Sequence, residues 1–139
     1  MRISKDKYYL NIAKSVSARS TCLKRHYGAV IVNNDEIVST GYNGAPRGEE
    51  NCCDKDFCPR IDKPHNSGDY SDCPAVHAEM NAIISASRKE MLNGTLYLCG
   101  VDPKTNEEVE GATPCPICMK LIKNSGIIKI VNNKEIIDL

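Results

Sequence analysis

The sequence predicts an α/β domain in which helices pack on the faces of a mixed sheet. Three observations carry that reading. Helix-like and strand-like patterns alternate in the order α-β-β-α-β-α-β along 139 residues. The strand-like runs are short and rich in Val, Ile and Tyr, whereas the helix-like runs space their apolar residues by three and four. At this length, with 41% hydrophobic residues, the chain can bury one core. Residues 1–139 are therefore expected to form a single domain.

Asp6 to Arg19 reads as the first helix, with Tyr9, Leu10, Ile12, Ala13 and Val16 as its apolar positions. In "GAVIVNNDEIVSTGYNG", two strands follow, Ala29 to Val32 and Ile37 to Thr40, and Asn33-Asn34-Asp35-Glu36 supplies the turn. Periodicity then dissolves from Gly44 to Pro74, a stretch rich in Pro, Gly, Asp and Cys. Loops of that length are commonly functional or held by something other than core packing. "VHAEMNAIISASRK" restores helical spacing, with Met80, Ile83, Ile84 and Ser87 approximating one face. "GTLYLCG" is a strand and "VDPKTNEEVEGATP" a polar loop or hairpin extension. In "CPICMKLIKNSG", Pro116 suits the first turn of a helix and Gly126 ends it; "IIKIVNN" is the last strand.

Composition narrows the function. Lys plus Arg equals Asp plus Glu at 18 each, so no broad field favours a polyanion and nucleic acid is not the expected partner. The start "MRISKDKYYLNIAK" has no apolar core of a signal peptide, and no run approaches a membrane span. A cytoplasmic protein is expected. Eight cysteines are many for a reducing compartment, which favours thiolate-metal bonding over a secreted, disulfide-bonded domain.

"TPCPICMK" is the chemical centre of the sequence. Cys115 and Cys118 open a helix, where free N–H groups and a partial positive charge stabilise thiolates. No second Cys-x-x-Cys completes a zinc ribbon. "VHAEMNA" instead offers His77 at the start of the other core helix, with Glu79 two residues on. His77, Cys115 and Cys118 make a three-ligand zinc site, and an open fourth position is the mark of catalytic zinc. Glu79 is then the catalytic proton carrier. A thioredoxin-like reading would place the Cys-x-x-Cys after the first strand, without a His-Ala-Glu.

Together these residues resemble the cytidine and deoxycytidylate deaminase superfamily, whose signature is H-x-E…P-C-x-x-C. The chain carries "HAEMNA" at His77 to Ala82 and "PCPIC" at Pro114 to Cys118. "RSTC" at Arg19 to Cys22, "GAVIV" at Gly28 to Val32 and "GYNGAP" at Gly41 to Pro46 are similar to its dCMP deaminases. The resemblance implies a cytidine-deaminase-like three-layer α/β/α fold with a mixed central sheet of about five strands. It also implies hydrolysis of dCMP to dUMP and ammonia, with zinc-activated water attacking C4 of cytosine. Glu79 would move protons, the Ala78 N–H would hold the pyrimidine oxygen, and Asn43 would bond the sugar; on its own, Asn43-Gly44 also reads as a turn. Candidates for the phosphate are Lys24, Arg25, Arg47 and Lys120, and a second, structural zinc could draw on Cys22, Cys52, Cys53, Cys58, Cys73, His26 and His65. Cys99 reads as a small buried hydrophobe. The family further implies a homo-oligomer, dimer or hexamer, with dCTP and dTTP as effectors.

Two departures from the family stand out. Tyr27 precedes Gly28 where Val is commoner, and "GVDPKTNEEVEGAT" separates the third strand from "PC". Deamination of cytidine, deoxycytidine or cytosine is the alternative activity. A zinc-stabilised interaction module without activity is the alternative class, for which a carboxylate beside the histidine has no use.

Overall fold

The structure, a computed structural model, describes residues 1–68 and 70–139. Helix α1 (Lys5–Ser17) starts at Ser4, whose side chain caps Lys7 N–H at 3.1 Å. Strands β1 (His26–Asn33) and β2 (Glu36–Tyr42) form an antiparallel hairpin. Asn34 and Asp35 both adopt positive φ, the two-residue turn that matches strand twist. After the long loop, which contains short α2 (Cys52–Lys55), come α3 (Ala78–Ile84) and α4 (Arg88–Met91). They are followed by β3 (Thr95–Val101), α5 (Pro116–Ser125), β4 (Lys129–Val131) and β5 (Ile136–Asp138).

One five-stranded mixed sheet results, in the order β2-β1-β3-β4-β5. Only β3 and β4 pair in parallel, and α5 is the crossover between them. Side chains alternate across it. Ala29, Ile31, Leu96 and Leu98 join Ala78, Ala82 and Ile122 in one core. Val30, Val32, Tyr97, Cys99 and Val101 join Tyr9 and Ala13 of α1 in the other. The sheet thus lies between α1 and the α3–α5 layer, as expected.

Two sequence expectations are corrected. The helix read through "VHAEMNAIISASRK" is two helices. Ser87 and Glu90 form a capping box that starts α4, so the chain turns after Ile84. The face of α3 against the sheet is Ala78, Glu79 and Ala82, while Ile84 is 74% exposed. Small residues face inward because the helix lies almost on the strand. A Cβ at Gly41 would overlap Ala78 O and stand 2.4 Å from Ala82 N in the absence of any shift. The second correction is β5, which the order of patterns omitted. It adds three residues beside β4, at the sheet edge.

The 44–76 loop is fastened by polar bonds. Gly44 and Val76 exchange backbone hydrogen bonds at its neck. Thr21 Oγ1 donates to Asn51 Oδ1 at 2.9 Å, and Lys24 Nζ donates to Arg60 O at 3.0 Å and to Lys63 O. Arg60, only 5% exposed, bonds Asp72 and Ser67. This loop covers the end of the sheet where β1 begins and β3 finishes. The "VDPKTNEEVEGATP" segment is a hairpin extension in which Asp102 N–H donates to Glu107 O and Val109 N–H to Gly100 O.

Candidate functional site

His77 and Cys115 are the N-cap residues of α3 and α5. Their carbonyls accept the first helical hydrogen bonds, from Asn81 and Met119, but their side chains cap nothing. N-caps are ordinarily Ser, Thr, Asp or Asn, whose side chains satisfy the helix end. Here both side chains remain free to serve as donors. Cys118 adds a third, one turn into α5.

His77 Nδ1 lies 3.2 Å from Cys118 Sγ and 3.5 Å from Cys115 Sγ, and all three donor atoms are within 4.8 Å of one another. Zinc bonds of ordinary length at tetrahedral angles hold N and S about 3.6 Å apart. The donor set, one imidazole and two thiols, therefore fits zinc in kind and in spacing. It is the single group of at least three such donors found among the described residues.

Electrostatics agree. A hydrogen bond from Cys118 lowers the Cys115 thiol to about 4, helped by His77. The same bond and burial push Cys118 upward, so the pair readily yields a first thiolate. The bond to Cys115 raises His77. Glu79, buried at the first turn of α3, has its carboxyl raised by burial.

A cleft enclosing about 710 Å³ of space, open solvent included, reaches this cluster. Tyr27, Asn43, His77, Ala78, Glu79 and Cys115 line its inner wall. Asn43 is buried and braces β1: its Oδ1 accepts from Tyr27 N–H at 2.8 Å and its Nδ2 donates to Arg25 O at 3.0 Å. One amide hydrogen and one lone pair remain for a ligand. Ala78 begins α3, so its N–H has no partner within the helix.

Of the cations singled out for phosphate, Lys24 and Arg25 line the cleft, whereas Arg47 and Lys120 are exposed and lie outside its lining. Lys24 is occupied as the clasp on the loop, and burial lowers its pKa. Arg25 stands 3.9 Å from Asp102 of the inserted hairpin and keeps several donors free.

All eight cysteines are unpaired. Cys22, Cys58 and Cys73 reach the cleft, and burial together with the neighbouring Cys52 pushes Cys22 up to about 12. Cys53 is exposed, and His26 Nε2 is taken up by Cys22 O at 2.9 Å. Among the described residues, the loop cysteines make no three-donor cluster of the kind His77 belongs to. Cys99 is buried in the α1-side core, as a small hydrophobe should be.

Arg60, His65 and Tyr70 also line the cleft, and beyond a zinc role for His65 no sequence pattern marked them as functional. They lie in a stretch without periodicity, where no pattern tells a wall residue from a solvated one. Tyr27 did carry a signal, as a large aromatic before Gly28 where the resemblance led to an expectation of Val.

The family model described as "Cytidine and deoxycytidylate deaminase zinc-binding region" matches residues 3–134. The chain belongs to this family. It is 39% identical over 136 residues to the deoxycytidylate deaminase of Mycobacterium phage D29, covering 94% of each chain. It is 34% identical over 131 residues to that of Schizosaccharomyces pombe, covering 94% of this chain but 37% of the longer yeast protein. The dCMP deaminase of cyanophage S-TIM5 superposes with a TM-score of 0.66 at 26% identity, over 97% of this chain and 86% of its own. A second structure of that enzyme holds dCMP and dUMP. The zinc-binding character of the family matches the donor set of His77, Cys115 and Cys118. No helix among the described residues is long and apolar enough to cross a membrane.

Proposed function

We propose that this chain is a single-domain, zinc-dependent deaminase over residues 1–139 that converts dCMP to dUMP and ammonia. The observation that carries the reading is the buried Glu79 beside the His77–Cys115–Cys118 donor set, with Glu79, His77 and Cys115 on the wall of one cleft. Relatives named deoxycytidylate deaminase support the substrate.

His77, Cys115 and Cys118 would hold zinc. A zinc with three protein ligands and one open position lowers the pKa of a bound water toward 7. Glu79 takes the proton from the attacking water and passes it to N3 of the cytosine. It then carries the remaining proton of the new C4 hydroxyl to the amine, so the C4–N bond breaks, ammonia leaves and C4 becomes a carbonyl. Burial raises its carboxyl, which suits a group that must both accept and release a proton. The Ala78 N–H is offered to the pyrimidine oxygen, and Asn43 to the sugar with the hydrogen-bonding capacity it retains. Arg25 is the proposed phosphate contact, with Lys24 in support.

The test is a panel of dCMP, deoxycytidine, cytidine, cytosine and dCTP with zinc-loaded protein, following uracil formation and ammonia release. Preferential turnover of dCMP is expected. Preference for deoxycytidine, cytidine or cytosine would move the assignment to the alternative deaminases, and no turnover would favour the interaction module.

A second zinc on the loop is part of the proposal, with Cys22, Cys52, Cys58 and Cys73 as donors. Its support is that Cys22, Cys58 and Cys73 line one cleft and that all three other thiols are near enough to raise Cys22. Metal analysis should find two zinc ions per chain, falling to one in Cys22→Ser; a single zinc in the wild type rejects it. We also propose a cytoplasmic location, suited to eight free thiols. A homo-oligomer is supported by exposed Ile84, Ile117 and Leu121 on the α3–α5 layer. Sedimentation should give a dimer or hexamer, and a monomer overturns this. Control by dCTP and dTTP belongs to the same proposal and is read from turnover with each added.

A further inference from the structure

Tyr27 is a large aromatic on the inner wall of the cleft, and the fold makes room for it. Its ring lies against the backbone of β3, where Gly100 is its cross-strand partner. A Cβ at Gly100 would stand 2.8 Å from Tyr27 Cε1 and 3.4 Å from Ala112 Cβ. Any side chain at position 100 would therefore press the ring into the cleft. Glycine there lets a large aromatic form the wall and still leaves the cleft open.

Opposite Tyr27 stands His65 of the loop. The two rings are within 28° of parallel and their centroids are 6.2 Å apart. Carbon faces in contact sit about 3.5 Å apart, so a planar ring held between two others needs a gap of about 7 Å. The centroid separation of 6.2 Å is the upper limit of the space between the two planes, so the pair must open by at least about 0.8 Å to admit a base. His65 is exposed and belongs to a loop segment held by polar bonds rather than by the core, so opening the pair displaces no core residue. Tyr70, the third ring of the cleft, is already engaged. It meets His77 edge-on at 5.2 Å, and Arg60 lies 3.9 Å over its centre. That leaves Tyr27 and His65 as the near-parallel ring pair on the same cleft as Glu79.

We propose that Tyr27 and His65 form a two-sided stacking clamp that fixes the plane of the pyrimidine during deamination. This rests on the deaminase reading above and deepens it. Both residues are positioning and specificity residues: they select a flat aromatic base and take no part in proton transfer. Tyr27 acts through its ring rather than its hydroxyl.

The test is calorimetric binding of dUMP, which cannot be deaminated, and of 2-deoxyribose 5-phosphate, which has no base, to zinc-loaded protein. His65→Ala is the principal variant because His65 is exposed and its loss leaves the core intact. It should weaken dUMP roughly five- to a hundred-fold, while 2-deoxyribose 5-phosphate binds as in the wild type. His65→Phe should restore dUMP binding, and Tyr27→Phe should stay within about twofold of the wild type, since each keeps a ring face. Gly100→Ala should weaken dUMP by crowding the slot. Unchanged dUMP binding in His65→Ala, or equal loss of both ligands, overturns the clamp. If that result comes from a protein that turns over dCMP, the clamp falls and the deaminase reading stands. Wild-type protein that neither deaminates dCMP nor binds dUMP overturns both.

Discussion

His77 and Cys115 occupy the same structural position, the N-cap, on two different helices, with Nδ1 and Sγ 3.5 Å apart. Each gives up the side-chain cap its helix would ordinarily have, and each points its donor at the same spot. The two helix ends also direct partial positive charge there, which favours thiolate at Cys115 and Cys118.

Removal of any member of this set should remove the metal. Cys115→Ser and His77→Ala are expected to fall well below one zinc per chain at this site and to lose turnover. Because bound metal stabilises the folded state by mass action, chelator should also lower the melting temperature of the wild type. Metal content by atomic absorption, read beside a melting curve, checks both.

Glu79→Gln separates metal binding from chemistry. The amide keeps the size of the side chain but cannot carry the proton. Zinc content should stay at the wild-type level while kcat for dCMP drops by roughly 10²-fold or more. Near-normal turnover would refute the role given to Glu79.

Arg25→Gln tests the phosphate contact. Losing a guanidinium that pairs with phosphate should raise KM for dCMP about tenfold or more. Turnover of deoxycytidine, which has no phosphate, should change little. Parallel loss on both substrates would instead mean that the substitution disturbs the backbone beside Asn43, whose Nδ2 bonds Arg25 O.

Gly41→Ala should destabilise the fold. The added methyl would meet backbone atoms of Ala78 and Ala82, which cannot move without shifting α3. A loss of roughly 1–3 kcal/mol is expected, measured by urea denaturation. Zinc affinity should fall with it, because His77 begins that helix.

The hairpin turn sets a pH edge far from the site. Tyr9 Oη donates to Asp35 Oδ1 at 2.6 Å and Lys5 adds an ion pair at 3.0 Å. The bond from Tyr9, then the one from Lys5, holds the Asp35 carboxyl below its usual range. A depressed carboxyl stabilises the fold above its ordinary value near 4. That contribution is lost as pH falls through the lower folded value. Tyr9 is raised to about 12 by the same bond, so its contribution is present below about pH 10 and is lost as pH climbs through 12. Melting temperature between pH 2 and 5 should fall less steeply in Asp35→Asn than in the wild type, and equal slopes would contradict this account.

Much of the architecture was legible because the patterns are local. The β1 run Ala29 to Val32 is apolar at every position because both faces of the sheet are covered. Pro116 and Gly126 bounded α5 by backbone chemistry alone. What misled was α3, where burial follows closeness of approach rather than size. Ala78 and Ala82 face the strand, and the larger Ile84 faces out. Strand β5 is three residues long, too short to show a period.

By itself the sequence determined the donor set. His77, Cys115 and Cys118 fall at helix starts with Glu79 close by in sequence, and their residue types and spacing are those of zinc ligands. The tertiary structure decided what surrounds it. It brought Arg60, His65 and Tyr70 over the cleft, kept Lys24 and Arg25 on its lining, and left Arg47 and Lys120 outside. It also set Tyr27 across Gly100. The reason is physical: helix ends and ligand pairs three residues apart are fixed by local backbone geometry. The walls of a cleft are fixed by contacts between residues tens of positions apart, held here by polar bonds such as Lys24 to Arg60 O.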